Sequence, residues 1–315
     1  MYVIESTDVN DAYRRGIKLI LEDGQPQTTR AGDVLSLDSP VTTVYTCPTQ
    51  RVLFDAGRDA NPFFHLFECL WMLSGTKDAT WLDRFVGTFS ERFAEEDGNQ
   101  HGAYGFRWRL HFDTDQIELA CALLRDNPTD RRVVIAMWDP NCDLGANVRD
   151  VPCNTHIYPR IVNGKLDLTV CCRSNDMIWG AYGSNAVHFS FLQEYMAGQI
   201  GVEVGVYYQI SNNMHAYVEP LKKVGQPKRE TKSYPGTRAI MNVPEMWDED
   251  LRAFMDDPGG SEYVNPWFIN TAYPMWTAHA QWKAGSKDSA MNVAQTIDAP
   301  DWRIAVTEWM QRRMK

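Results

Sequence analysis

Several things are missing from this 315-residue chain, and each absence removes a class of protein. No stretch of 18 consecutive apolar residues occurs, so nothing in it reads as a membrane span. Basic residues are in deficit. The 31 Lys and Arg against 41 Asp and Glu leave a formal net charge of −10, which does not favour binding a polymeric nucleic acid. The seven cysteines show no C-x-x-C spacing; their odd number and irregular placement predict a reduced intracellular protein with one special thiol at most. The opening Met1-Tyr2-Val3-Ile4-Glu5 has neither the basic nor the apolar region of a secretory leader. No internal repeat and no clear domain boundary are seen.

What remains is a chain able to bury a substantial core, with 44% hydrophobic and 12% aromatic residues. Apolar periodicity predicts helices over 9–23, 63–73, 78–86, 115–126, 186–200 and 302–310. Asn61-Pro62 opens the second of these and Ser74-Gly75 closes it. Strand-prone runs fall at 34–54, broken by Pro40 and Pro48, and at 133–138 and 204–210. Residues 155–172 read as a hairpin turning at Asn163-Gly164. Residues 28–33 read as a turn-rich loop. The stretch 222–240, with Lys222, Lys223, Lys228, Arg229 and Lys232, reads as a basic loop or mobile insert, and 284–300 also as loop. Mixed strands and helices around a central hairpin predict one α+β domain.

Chemistry concentrates around Cys153, in Val151-Pro152-Cys153-Asn154. Arg173-Ser174-Asn175-Asp176 begins twenty residues after it. Next come Gly180-Ala181-Tyr182-Gly183-Ser184-Asn185 and, beyond a helical run, Asn213-Met214-His215-Ala216-Tyr217. A lone cysteine is usually a small core residue. Here Pro152 fixes the backbone before the thiol. Arg173 and the pair Arg131-Arg132 offer positive charge that favours thiolate. Asn185 can donate and accept in one plane, as a pyrimidine edge requires. His215 and Tyr217 alternate and so face one side. Together they make a set for holding a nucleotide monophosphate and attacking its base.

These motifs, with those upstream, resemble the thymidylate synthase family, which includes the phage deoxypyrimidine-monophosphate hydroxymethylases. The resemblance runs from Arg30 to Tyr217 and fades after 222. Arg30-Ala31-Gly32 is similar to the family's phosphate-loop arginine. Phe67-Glu68-Cys69-Leu70-Trp71 resembles the helix of the catalytic glutamate. Tyr104-Gly105-Phe106-Arg107-Trp108-Arg109 matches Tyr-Gly-x-x-Trp-Arg, and Arg173-Ser174-Asn175-Asp176 matches Arg-Ser-x-Asp. The resemblance implies a mixed sheet with flanking helices, a sheet-to-sheet homodimer, and one catalytic domain over 1–315 with a divergent part from about 222. It implies 5,10-methylenetetrahydrofolate as co-substrate, no metal, and a place in the cytoplasm of a bacterial or phage-infected cell. Cys153, Glu68, Tyr104 and Asn185 become the expected catalytic residues. Arg30, Arg173, Ser174, His215 and Tyr217 are expected on the nucleotide's phosphate and sugar, with Arg131 and Arg132 entering from a second chain. Asp176 and Trp71 are expected on the folate.

Three departures from the family pattern bear on the reaction. Asn154, not histidine, follows the nucleophile. In a gap-free register over Thr88-Phe89-Ser90-Glu91-Arg92-Phe93, Ser90 replaces a tryptophan that shields the reaction intermediate from water. The chain ends in Trp309-Met310-Gln311-Arg312-Arg313-Met314-Lys315, not in an apolar closing tail. Segment 180–185 is also one residue longer than expected. Asn185 points to uracil. The expectation is hydroxymethylation of deoxyuridylate (dUMP). Ordinary thymidylate synthesis and deoxycytidylate hydroxymethylation or methylation stay open. So does an inactive nucleotide- or RNA-binding homologue, which the intact Cys153, Glu68 and Arg173 oppose.

Overall fold

Six strands make the central sheet, in the order β1 (Tyr2–Ser6), β4 (Val41–Tyr45), β9 (Glu203–Ser211), β7 (Lys165–Cys172), β6 (Asn154–Val162) and β5 (Ile135–Ala136). The structure is a computed structural model and describes residues 1–225, 233–241 and 243–314. The sheet is mixed: β1 with β4 and β7 with β9 run parallel, and the other neighbours antiparallel. A second sheet has the order β2 (Gln25–Thr29), β3 (Gly32–Ser36), β10 (Met214–Tyr217), β8 (Asn175–Asp176). The chain thus has the expected α+β character, with helices flanking mixed sheets.

The helices follow in chain order. They are α1 (Val9–Asp23), α2 (Pro62–Leu73), α3 (Phe89–Phe93), α4 (Tyr104–Arg109), α5 (Gln116–Asp126), α6 (Pro140–Asp143) and α7 (Asn185–Ile200). Then come α8 (Val218–Val224), α9 (Trp247–Asp256), α10 (Tyr273–Lys283), α11 (Lys287–Ala294) and α12 (Pro300–Met314). Two of these carry the site. In α2, the Asn61 side chain accepts from the Phe63 and Phe64 N–H groups and Pro62 sits in the first turn, a favoured start. In α7, nearly every residue is buried, because it packs on β7 and β9 on one side and on α2 on the other. Gly201, at φ 87°, ends it in the left-handed conformation that glycine adopts without a Cβ clash.

Strands β7 and β9 alternate. Leu166, Leu168, Val170, Tyr207 and Gln209 are buried on the α7 side. Thr169, Cys171, Tyr208 and Ile210 are half-buried on the other face, and Tyr158 of β6 is exposed there. One contiguous apolar core runs from Ile4 to Met310. The part after 222 joins it: Phe254 stacks on Phe67 of α2 at 5.6 Å, and Trp309 meets Phe63 edge-on at 5.5 Å.

Some expectations are corrected. Residues 284–300 hold α11, whose Ala290 and Ala294 are fully buried; small residues had hidden its apolar face. Of 133–138, only Ile135 and Ala136 pair as strand. Residues 78–86 form a 3₁₀ turn, Ala79–Arg84. Residues 25–29, read partly as loop, pair with β3 as a hairpin. Lys222 and Lys223 lie on α8. The rest of the basic stretch at 226–232, with Lys228, Arg229 and Lys232, lies outside the described residues. Beyond it, the Tyr234 hydroxyl accepts from the Val52 N–H and donates to Asp301, so 233–241 is tied to the core.

Candidate active site

Cys153 stands just before β6, where the β6–β7 register slips between Asn154 and His156. Such a bulge bends a strand and re-aims the adjoining side chain. The backbone here is held from several directions. The Arg173 N–H donates to the Cys153 carbonyl at 2.8 Å. The Cys153 and Asn154 N–H groups both donate to the Tyr104 hydroxyl at 3.2 Å. Arg173 also donates to the carbonyls of Pro152 (2.8 Å) and Val151 (3.0 Å), which brings its Nη2 to 3.9 Å from Cys153 Sγ.

Burial raises the Cys153 pKa, Arg173 opposes this, and the nearby Asp150 adds to it. In the unliganded chain burial wins, and the thiol is favoured over the thiolate. Arg173 lies beside the thiol, as expected. Arg131 and Arg132 do not, within this chain: both are exposed, Arg132 pairs with Asp130 at 2.6 Å, and neither lines the cleft around Cys153.

That cleft has two lobes that share Cys153, Ser174 and Asp150. One, of about 510 Å³, is lined by Arg30, Arg149, Arg173, His215 and Tyr217. Arg30 reaches it from the β2–β3 turn. His215 and Tyr217 come from alternate positions of β10, their rings 5.5 Å apart and nearly perpendicular. This lobe can hold an anion through guanidinium groups and a sugar hydroxyl through His215 or Tyr217. The other lobe, of about 450 Å³, is lined by Glu68, Trp71, Tyr104, Asp176, Asn185 and His188 among others. All the site residues expected from the sequence therefore line one cleft, except Arg131 and Arg132.

The segment before Asn185 is a π-helical turn, Met177–Ser184, in which the Asn185 N–H bonds the Gly180 carbonyl five residues back. Such turns are frequent at functional sites. Asn185 then opens α7 inside a chain of amides. Asn154 Nδ2 donates to Asn185 Oδ1 (3.2 Å), Asn185 Nδ2 to Asn175 Oδ1 (3.1 Å), and Asn175 Nδ2 to the Ser211 hydroxyl (2.9 Å). Each link uses one proton and one lone pair, so Asn185 keeps one of each for a base edge.

Asp176 presents a carboxylate oxygen to the cleft. Its Oδ1 accepts from the Trp179 N–H at 2.6 Å, while its buried Oδ2 has no hydrogen-bond partner among the described residues. Burial raises its pKa, and the Trp179 and Tyr217 N–H groups oppose this. A group offering N–H donors, as a pterin does, fits this orphaned oxygen and the aromatic lobe around it. Trp71 is nearly fully buried, and its indole N–H donates to the Asp78 carbonyl at 2.8 Å, so it offers the lobe only an apolar edge.

Sequence reasoning missed several lining residues. His188 Nε2 lies 2.7 Å from Glu68 Oε2, both groups buried. Its signal was available: three residues after Asn185 on one helix, it shares Asn185's face. Asp150 is half-buried; desolvation raises its pKa and the Gln100 hydrogen bond opposes this. Arg58, lowered to about 10 by burial, packs 4.1 Å over the Trp179 ring. Neither sits in a motif.

The water path expected at Ser90 is not open there. Its hydroxyl and N–H turn to Asp83 at 2.5 and 2.9 Å, and α3 gives the wall Phe89, Arg92 and Phe93 instead. The basic C-terminal end is a helix, as its sequence implied. Arg312 and Arg313 hold Asp59, a wall residue, at 3.0 and 2.6 Å. Clusters able to ligate a metal, His101-Cys142-Asp143 and His111-Asp139-Cys142, include no residue of the cleft wall, and Arg107 already grips Asp143 through two nitrogens.

With the thiol set where an arginine-lined lobe meets an aromatic lobe, comparison with known proteins gives a consistent answer. Residues 11–255 match the family model described as thymidylate synthase, and the chain belongs to that family. It is similar to the deoxyuridylate hydroxymethyltransferase of Pseudomonas phage M6, at 43% identity over 99% of this chain and 95% of the relative. The enzyme of that name from Bacillus phage SP01 is 30% identical over 85% of this chain and 74% of its own length. The thymidylate synthase of Corynebacterium aurimucosum is 27% identical over 79% and 93%. No helix among the described residues is long and apolar enough to cross a membrane.

Proposed function

We propose that this chain transfers a one-carbon unit to carbon 5 of dUMP and releases the 5-hydroxymethyl nucleotide. The observation that carries this is the place of Cys153 between an arginine-lined lobe and an aromatic lobe with an orphaned carboxylate oxygen. The first lobe takes the nucleotide: Arg30, Arg173 and the Ser174 hydroxyl bind the phosphate, and His215 and Tyr217 the sugar. Asn185 offers its spare lone pair to N3–H and its spare N–H to O4 of uracil. Asp176, with Trp71 in the wall, receives the folate.

Methylenetetrahydrofolate supplies the one-carbon unit at the oxidation level of formaldehyde. The rest is the chain's work. Cys153 Sγ adds to carbon 6, and the displaced electron pair makes carbon 5 nucleophilic. Tyr104, whose phenol burial keeps protonated, holds the backbone of the nucleophile in place. Glu68 receives the proton of the water that completes the hydroxymethyl group. We further propose that two chains pair through the half-buried sheet face, and that Arg131 and Arg132 reach the partner's phosphate lobe. The whole of 1–315 then acts as one catalytic unit.

Incubation with dUMP and methylenetetrahydrofolate, with products weighed by mass spectrometry, tests this; 5-hydroxymethyl-dUMP is expected. The second reading, conversion to dTMP, is favoured by the resemblance to thymidylate synthases and is the alternative that the same assay detects. A parallel incubation with dCMP tests the base.

A further inference from the structure

Glu68 and His188 come from the two helices that pack against each other behind the cleft, α2 and α7. Their side chains are 7% and 4% exposed. The Nε2–Oε2 distance of 2.7 Å is that of a charge-assisted hydrogen bond. The other ring nitrogen, Nδ1, is buried and has no partner among the described residues. A buried N–H without an acceptor is costly. That cost favours the tautomer with its proton on Nε2, donating to Glu68, and a bare Nδ1. With Oε2 so engaged, Oε1 is the oxygen left to serve a water in the cleft.

We propose that His188 is the positioning residue that fixes Glu68 as the base for water in the last step. This rests on the hydroxymethylation reading above. The residue next to the nucleophile, Asn154, carries an amide that is committed to Asn185. The imidazole that touches the catalytic carboxylate therefore comes from α7. His65, one turn before Glu68 on α2, is the other imidazole of this lobe; burial, with Arg58 and His188 beside it, holds its pKa far below the usual value, so it adds no competing charge.

The step balances. Water oxygen bonds to the methylene carbon on carbon 5, and one water proton passes to Glu68 Oε1. The electron pair of the carbon 5–methylene double bond moves to O4. Its return forms the carbon 5–carbon 6 double bond and expels the Cys153 thiolate. An unpinned carboxylate could rotate and lose this geometry. His188 supplies the pin, and it touches neither reacting partner.

The test uses the full-length protein with His188→Gln, whose amide nitrogen can reach Glu68 as Nε2 does, and His188→Leu, which cannot donate. Three things are read: hydroxymethyl-dUMP formation, KM for dUMP, and the covalent adduct formed on Cys153 by 5-fluoro-dUMP with methylenetetrahydrofolate. The expected result is that both variants form the adduct and keep KM within about threefold. The leucine variant loses about 100-fold or more in kcat, and the glutamine variant regains at least a tenth of wild-type kcat. Wild-type turnover in the leucine variant overturns the proposal, as does a glutamine variant no better than leucine, or loss of the adduct in both. Failure of the underlying reading appears elsewhere, as wild-type protein that makes no hydroxymethyl product.

Discussion

The Arg173 guanidinium lies 3.9 Å from the Cys153 sulfur while two carbonyls of the same turn, Val151 and Pro152, hold it there. The arginine thus opposes the burial that raises the thiol's pKa. The thiolate is the reactive form, so alkylation of Cys153 by iodoacetamide in the free protein is expected to be slow near neutrality and to climb through the alkaline range. Arg173→Gln removes the opposing charge and is expected to shift that climb to higher pH, read by peptide mass across a pH series. A climb at unchanged or lower pH would contradict the assignment.

Cys153→Ala is expected to abolish turnover and leave dUMP affinity within about tenfold, because the arginines and Asn185 hold the ligand while the thiol acts in chemistry. Release of tritium from carbon 5 of labelled dUMP is the check. Retained release in the variant would remove Cys153 as nucleophile.

The proposed sharing of Arg131 and Arg132 between chains gives a mixing experiment. Cys153→Ala and Arg131→Ala/Arg132→Ala subunits are each expected to be inactive alone. After random exchange, half of the dimers are hybrids with one repaired site, and about a quarter of wild-type activity is expected to return. No recovery after verified exchange would mean that each chain is complete by itself.

Asp176 couples stability to binding. Burial disfavours the Asp176 carboxylate, so Asp176→Asn, which keeps an oxygen for the Trp179 N–H, is expected to stabilise the unliganded protein by about 1 kcal/mol. The same change is expected to raise KM for methylenetetrahydrofolate at least tenfold and leave KM for dUMP unchanged. A thermal melt and two substrate titrations decide it.

Asp301 gives a pH test. Burial raises its pKa to about 6, from the ordinary carboxyl value of 3.8. The folded state then binds more protons than the unfolded one between those values, so stability falls as pH rises through that window. Asp301→Asn is expected to raise the melting temperature at pH 7 and to change it little at pH 4. An equal shift at both would mean the carboxylate is not held in its neutral form.

Much of this was legible because short motifs fix backbone chemistry. Cys153, Arg173, Ser174, His215 and Tyr217 all line the cleft, and helices with strong apolar stripes, such as α1, were placed closely. The failures have physical reasons. Lining α11 with Ala290 and Ala294 gave little hydrophobic contrast. Ser90 was judged by its register alone, which could not reveal that Asp83 would capture its hydroxyl. Glu68 was found by its motif, but its partner His188 lies 120 residues away and only the packing of α2 on α7 brings them together. Asp150 and Arg58 carry no local pattern, and tertiary burial alone makes them part of the wall.

The fate of the one-carbon unit is the central claim, and one spectrophotometric assay addresses it. Purified protein is mixed with dUMP and methylenetetrahydrofolate, absorbance is followed for dihydrofolate, and the nucleotide is weighed at the end. Capture of water consumes no hydride, so the folate is expected to end as tetrahydrofolate, with no dihydrofolate signal and the mass of 5-hydroxymethyl-dUMP. A dihydrofolate signal stoichiometric with dTMP would contradict the account and make the protein a thymidylate synthase.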